Sequence, residues 1–173
     1  ICYFGFKEYK KHQNIKVSNL YNSTIINFTK EKKNFTTKNL VNIINKKDPT
    51  YSPLSLYFII DNKLINEKDK INDLFDVLIY KTSLEEEIKN LIIYKKAMYN
   101  AEIISENELL DILNPILKSE SVWKSHALLL MADYFEHNNN LIKSKDFLEE
   151  IVNSELVNNE IKIEAERRLK RNS

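Results

Sequence analysis

The sequence predicts an all-α chain: a right-handed α-solenoid of about four helical hairpins closed by a C-terminal capping helix. Three observations predict it. One glycine and three prolines in 173 residues leave little room for β-turns, so helices joined by short polar segments are the natural reading. Apolar residues recur at helical spacing, as at Leu128, Met131, Ala132 and Phe135. A two-helix pattern also recurs about every 34 to 38 residues, the period of a helix–turn–helix array.

The pattern is clearest over residues 125–151, SHALLLMADYFEHNNNLIKSKDFLEEI. Asn138, Asn139 and Asn140 favour a turn between two helices. Ile142, Phe147, Leu148 and Ile151 give the second helix an apolar side. A lone hairpin of this size buries too little to stand alone, so it should stack on copies of itself. Taking Ala132, Phe135, Asn139, Ser144, Leu148 and Ile151 as anchors, the copy 73 residues earlier carries Ile59, Asn62, Asn66, Ile71, Phe75 and Leu78. A further 34 residues back lie Ile25, Phe28, Lys32, Thr37, Val41 and Ile44. Ala97, Leu109, Leu113 and Ile116 supply the copy between. The units run over about 15–49, 51–82, 83–120 and 121–155, with a cap over 158–171.

Taken in order, the chain opens on ICYFGF followed by KEYKK. Aromatics and then lysines mark the place where a helix leaves a bilayer, so residues 1–6 read as the end of a truncated transmembrane helix. The plainer reading is the first turn of a packed helix, since a span needs ~20 residues. Residues 7–173 read as one helical domain. A first helix runs through Val17, Leu20, Tyr21, Ile25 and Phe28 and breaks at KEKKN, residues 30–34. Thr36 or Thr37 caps the next, which carries Leu40, Val41, Ile43 and Ile44. Asp48-Pro49 ends that unit, and Ser52 caps a third helix with Pro53 at its first position. Asp69 caps a fourth helix, with Ile71, Leu74, Phe75 and Leu78 inward. Ser83 to Glu86 and Ser105 to Glu108 have the spacing of capping boxes. The first opens a long helix reaching about Ile104, and in the second Pro115 predicts a bend or early break. Asn158 caps a final helix whose Ile161, Ala165 and Leu169 turn inward while Arg167, Arg168 and Arg171 face water.

Composition excludes several classes of function. The 23 Lys, 22 Asn and 22 Ile suit an A+T-rich genome, and 25 acidic residues nearly balance 26 basic ones. A general nucleic-acid footprint is therefore not expected. Cys2 is the only cysteine, so no internal disulfide forms. His12, His126 and His137 lack metal-site spacing; the last two fall ~16 Å apart along one helix. Without a Gly-rich loop there is no phosphate cradle. No catalytic residue, metal or cofactor is expected, and the chain reads as non-catalytic.

The membrane-exit start and the C-terminal pattern together carry a resemblance. That pattern comprises Leu109-Leu-Asp-Ile-Leu-Asn-Pro-Ile-Leu, Trp123-Lys-Ser-His-Ala127, the Asn-rich turn, Phe147-Leu-Glu-Glu-Ile and Ile161-Lys-Ile-Glu-Ala-Glu-Arg-Arg-Leu169. It resembles the bacterial single-pass, membrane-anchored tetratricopeptide-repeat-like family in its alphaproteobacterial form, to which the ancillary subunit of the Sec translocon is related. The resemblance is clearest over residues 85–170. Ala97 and Ala132 match the small residue of the motif's first helix, Ser144 matches that of its second, and Asn139 stands for the turn glycine. Ile25, Ile59, Ile71 and Leu109 depart from it, which implies more splayed early units.

The resemblance implies an inner-membrane anchor and a periplasmic helical domain. That domain would bind other proteins, such as Sec translocon or envelope-assembly components. Lys7, Lys10 and Lys11 would then lie against the positive-inside tendency. The first helix of each unit lines the concave side of such an array. Counting from the anchors puts Asn22, Ile26, Leu56, Ile60, Tyr94, Met98, His126, Leu129 and Asp133 there as a partner-binding groove. The competing reading is that Ile26, Leu56, Ile60, Met98 and Leu129 simply pack between units. The alternative function is a helical-repeat RNA binder, resting on Lys30–Lys33, Lys46–Lys47, Lys95–Lys96 and Arg167–Arg171.

Overall fold

The computed structural model describes residues 2–154 and 157–171, with side chains from His12 onward. Ile1 and the side chains of residues 2–6, on which the membrane-exit reading stands, lie outside the described residues. Nine α-helices and no strand are found among the described residues. None of these helices is long and apolar enough to cross a membrane.

The chain divides into two compact units at Leu84/Glu85. The first holds α1 (Cys2–Ile26), a 3-10 turn at Lys30–Lys32, α2 (Lys33–Asn45), α3 (Tyr51–Asp61) and α4 (Lys68–Lys81). Here α2 packs against α1 and α3, and α3 against α4. The second holds α5 (Glu86–Asn100), α6 (Glu106–Leu117), α7 (Lys124–His137), α8 (Leu141–Asn153) and α9 (Asn159–Arg171). Each of its helices packs on the next, and α7 also meets α5 and α9.

The first and the last three anchor positions are buried alike in three of the four sequence units, whereas at the second Phe135 is buried and Asn62 exposed. Ile59, Ala97 and Ala132 are fully buried, and so are Leu109 and Ser144, with Ile71 nearly so. The sets Phe75, Leu113, Leu148 and Leu78, Ile116, Ile151 are likewise inside. The first unit departs by one residue. Thr36, Leu40 and Ile43 are buried where Thr37 and Val41 were expected beside Ile44. Ile44 is buried as well, so two adjacent apolar stripes on α2 obscure its register. Ile142 is a clear miss, at 78% exposed. It falls in the opening turn of α8, and Phe147, Leu148 and Ile151 face the core without it.

With one glycine in the chain, other residues take the left-handed turn positions. Asn139 does so as expected, at φ 58°. The N–H of Asn140 then reaches the Phe135 carbonyl at 2.8 Å and that of Asn139 reaches Glu136 at 3.1 Å, closing α7 as a Schellman turn. Lys63 at φ 48° closes α3 the same way, with Leu64 N–H on Ile59 O at 2.9 Å. Leu64 is thus buried beyond the helix rather than within it. Lys47, at φ 57°, ends α2.

Caps divide between the expected and the unexpected. Ser105 and Glu108 form the capping box of α6. The Asn158 carboxamide accepts from Glu160 and Ile161 N–H, capping α9. At α3 the cap is Asp48, whose carboxylate accepts from Thr50 N–H at 2.9 Å and Tyr51 N–H at 2.8 Å. Ser52 is instead one residue into the helix, buried, and donates its hydroxyl to the Ile43 carbonyl. Neither Thr36 nor Thr37 caps α2, which begins at Lys33; Thr37 donates back to the Lys33 carbonyl at 2.8 Å. Asp69 lies in the first turn of α4, which starts after Glu67. Ser83 makes no box, because α5 starts after Glu85 and ends at Asn100. Helix α6 runs through Pro115 and stops two residues later, at Leu117.

Candidate functional site

Five of the nine groove residues fall in the second unit, and there they share neighbouring faces. Tyr94 and Met98 are one turn apart on α5; His126, Leu129 and Asp133 follow at i, i+3 and i+7 on α7, which packs against α5. Tyr94 and His126 meet edge to face with ring centroids 5.8 Å apart. Trp123 completes the group. Its ring stacks on Tyr94 at 5.9 Å and lies 5.0 Å from His126. Buried Ser121 ties the Trp123 backbone to α5, because its hydroxyl donates to Glu87 and accepts from the Trp123 backbone N–H.

Burial raises the Tyr94 phenol above its ordinary pKa, and the Asp133 charge pushes the same way. The phenol is therefore neutral through the physiological range. Burial holds the His126 imidazole below its usual pKa, against a weaker upward pull from the Val122 carbonyl. Its Nδ1 is buried and has no hydrogen bond of good geometry among the described residues. The result is a neutral shelf of three rings with Met98, 46% exposed, one turn further along α5 and exposed Asp133 on α7. Leu129 packs against the core formed by Leu128, Ala132, Leu148, Ile151, Ile161 and Ala165.

Beside the shelf, a charged cleft of about 380 Å³ runs between α7 and α9, lined by Asp133, Glu136, His137, Glu164, Arg168 and Arg171. Arg168 does not face water as expected. Its side chain is 19% exposed and pairs with Asp133, with Glu136 at 3.4 Å and with Glu164 at 2.7 Å. Arg171 reaches Glu136 at 2.7 Å, and Arg167 pairs with Glu164. Helix α9 is thus fixed by ions as well as by its apolar side.

No family model, curated protein or solved structure matches the chain.

The four remaining groove residues belong to the first unit and do not form such a cluster. Leu56 is fully buried and has no surface to offer a partner. Helix α3 is apolar on most sides, with Leu54, Leu56, Tyr57, Phe58, Ile59 and Ile60, so counting residues cannot pick its outer face. Ile60 is half-buried, while Asn22 and Ile26 are exposed on α1. Trp123 was missed as a site residue. Its spacing three before His126 is the signal that could have found it, since i and i+3 are neighbours on a helix.

Proposed function

We propose that the chain is a non-catalytic protein-binding module. In this reading α1–α2, α3–α4, α5–α6 and α7–α8 are four degenerate tetratricopeptide-like hairpins closed by α9. The matched burial of Ile59, Ala97 and Ala132 supports it. The partner surface is the α5–α7 face. The observation that carries this is the mutual contact of the Tyr94, Trp123 and His126 rings beside exposed Met98 and Asp133.

Aromatic rings held rigid by one another cost little entropy when a partner covers them, and methionine adapts its shape to varied side chains. Asp133 is already paired with Arg168, so it is the ring faces themselves that favour a partner bringing a positive charge to the shelf. A membrane tether over residues 1–6, with envelope proteins as partners, remains part of the proposal; it rests on the apolar-then-lysine start of the chain.

The test is affinity capture with Met98→Glu and Tyr94→Ala beside a Lys95→Gln control, each verified as folded by circular dichroism. Proteins held by the original chain and by the control should be lost from both groove variants. A buried hot-spot residue contributes ~2 kcal/mol or more, about a thirtyfold loss in affinity. Equal recovery across all four proteins would remove the α5–α7 face as the binding surface.

A further inference from the structure

The near-neutral total conceals a division of charge. The first unit carries 14 Lys against 8 acidic residues, a net +6, whereas the second carries 9 Lys and 3 Arg against 17 acidic residues, a net −5. The excess is concentrated in α1 and α2. Residues 1–50 hold 10 Lys against Glu8, Glu31 and Asp48. Asp48 is buried and spent on the cap of α3.

The turn between α1 and α2 gathers these features in one place. Lys30, Lys32 and Lys33 lie between Ile26, 81% exposed, and Phe35, 65% exposed. Among the described residues none of these three lysines is held in an ion pair. Behind the turn is a cavity of about 540 Å³ between α1 and α2, with Leu20, Asn27, Lys32, Phe35 and Asn39 on its walls. Helical spacing carries the same surface along both helices. Lys16 lies two turns before the cavity residue Ser23, and Lys38 lies one turn after Phe35.

We propose that this turn is a peripheral membrane contact for anionic phospholipid, with Ile26 and Phe35 set among the headgroups and Lys30, Lys32 and Lys33 on the phosphates. Charge complementarity names the partner's sign. The mixture of side chains names its kind, because a bilayer interface accepts large apolar tips and ammonium groups side by side. The cations of this unit are lysines, point charges that a diffuse anionic surface accommodates without paired geometry. The contact is independent of the α5–α7 face and stands or falls without it.

Co-sedimentation of the 173-residue chain with vesicles tests it. We expect retention on phosphatidylcholine vesicles containing about 30 mol% phosphatidylglycerol, and little on phosphatidylcholine alone. Each lysine near an anionic surface contributes about a fivefold gain in partitioning. Lys30→Gln, Lys32→Gln and Lys33→Gln together should therefore lower retention by about 100-fold. Phe35→Ser should lower it by about tenfold. All these side chains are at least partly exposed, so circular dichroism should be unchanged. Equal retention on neutral vesicles, or undiminished retention of the triple variant, would assign binding to residues 1–6 and overturn the proposal. A labelled single-stranded RNA held more tightly than the vesicles at equal salt would reassign the surface to nucleic acid and overturn it too.

Discussion

Replacing Arg168 by methionine removes a charge from α9 while keeping an unbranched stem in its place. The guanidinium joins Asp133 and Glu136 of α7 and Glu164 of its own helix. A sheltered hydrogen bond to a charged group contributes ~1.5–3 kcal/mol, and an exposed ion pair ~0–1 kcal/mol. Glu136 is partly sheltered and Asp133 about half exposed, so the two cross-helix bonds together come to about 2 kcal/mol. The bond to Glu164, four residues earlier on the same helix, adds ~0.3–0.5 kcal/mol. Ile161, Ala165 and Leu169 still pack against the core. Helix α9 should therefore stay docked but open more often. Amide exchange measured on the peptide 159–171 should quicken by about 30-fold, the factor that 2 kcal/mol implies. Arg168→Lys should recover part of the loss, since it keeps the charge and loses the fork. About 1 M salt should narrow the difference, because the exposed part of the network is screened. Exchange in Arg168→Met within about twofold of the original would refute the claim that these ions hold α9.

Two further outcomes follow from the same unit and its neighbour. Hydrogen bonds from Arg167 and Arg168 hold the Glu164 carboxyl down to about 2 from an ordinary 4.5. Its folded-state pKa is depressed, so its contribution is present above about pH 4.5 and is lost as pH falls towards about 2. A carbonyl NMR titration should place the Glu164 midpoint near 2, rising in Arg168→Met; an ordinary midpoint in the original chain would contradict the geometry. In the first unit, Lys63→Gly should stabilise by about 1 kcal/mol in urea denaturation, by relieving a left-handed backbone that penalises any Cβ. A loss of stability would mean that the lysine stem matters more than its φ.

Much of the helical plan was legible because caps and periodicity are local. Ser105 with Glu108, Asn158 and Asn139 each act within three or four residues, and each was found in its expected role. Two of the misses share a cause: a residue whose role is fixed by a contact outside its own helix. Ser52 reads as a cap until the Ile43 carbonyl beneath it comes into view. Arg168 reads as solvated because Asp133 and Glu136 lie 35 and 32 residues back. The register of α2 could not be fixed, since Leu40, Val41, Ile43 and Ile44 make two stripes equally apolar. Lys47 and Lys63 gave no warning of their left-handed backbones, as lysine is not a residue that favours them. At the candidate site, helical counting found Tyr94 and His126, but their meeting depends on how α5 and α7 pack, which no local pattern encodes.

Trp123 is the solitary indole of the chain, and it touches both Tyr94 and His126. The molecule therefore carries its own optical gauge, placed on the proposed partner surface. Excited at the red edge, where tyrosine is dark, the second unit alone should glow. Since burial keeps the imidazole from taking a proton readily, the emission should hold steady through neutrality and dim only in acid below the ordinary histidine range. Anything that settles on the three rings and drives water from them should turn that light bluer, without a dye or a tag.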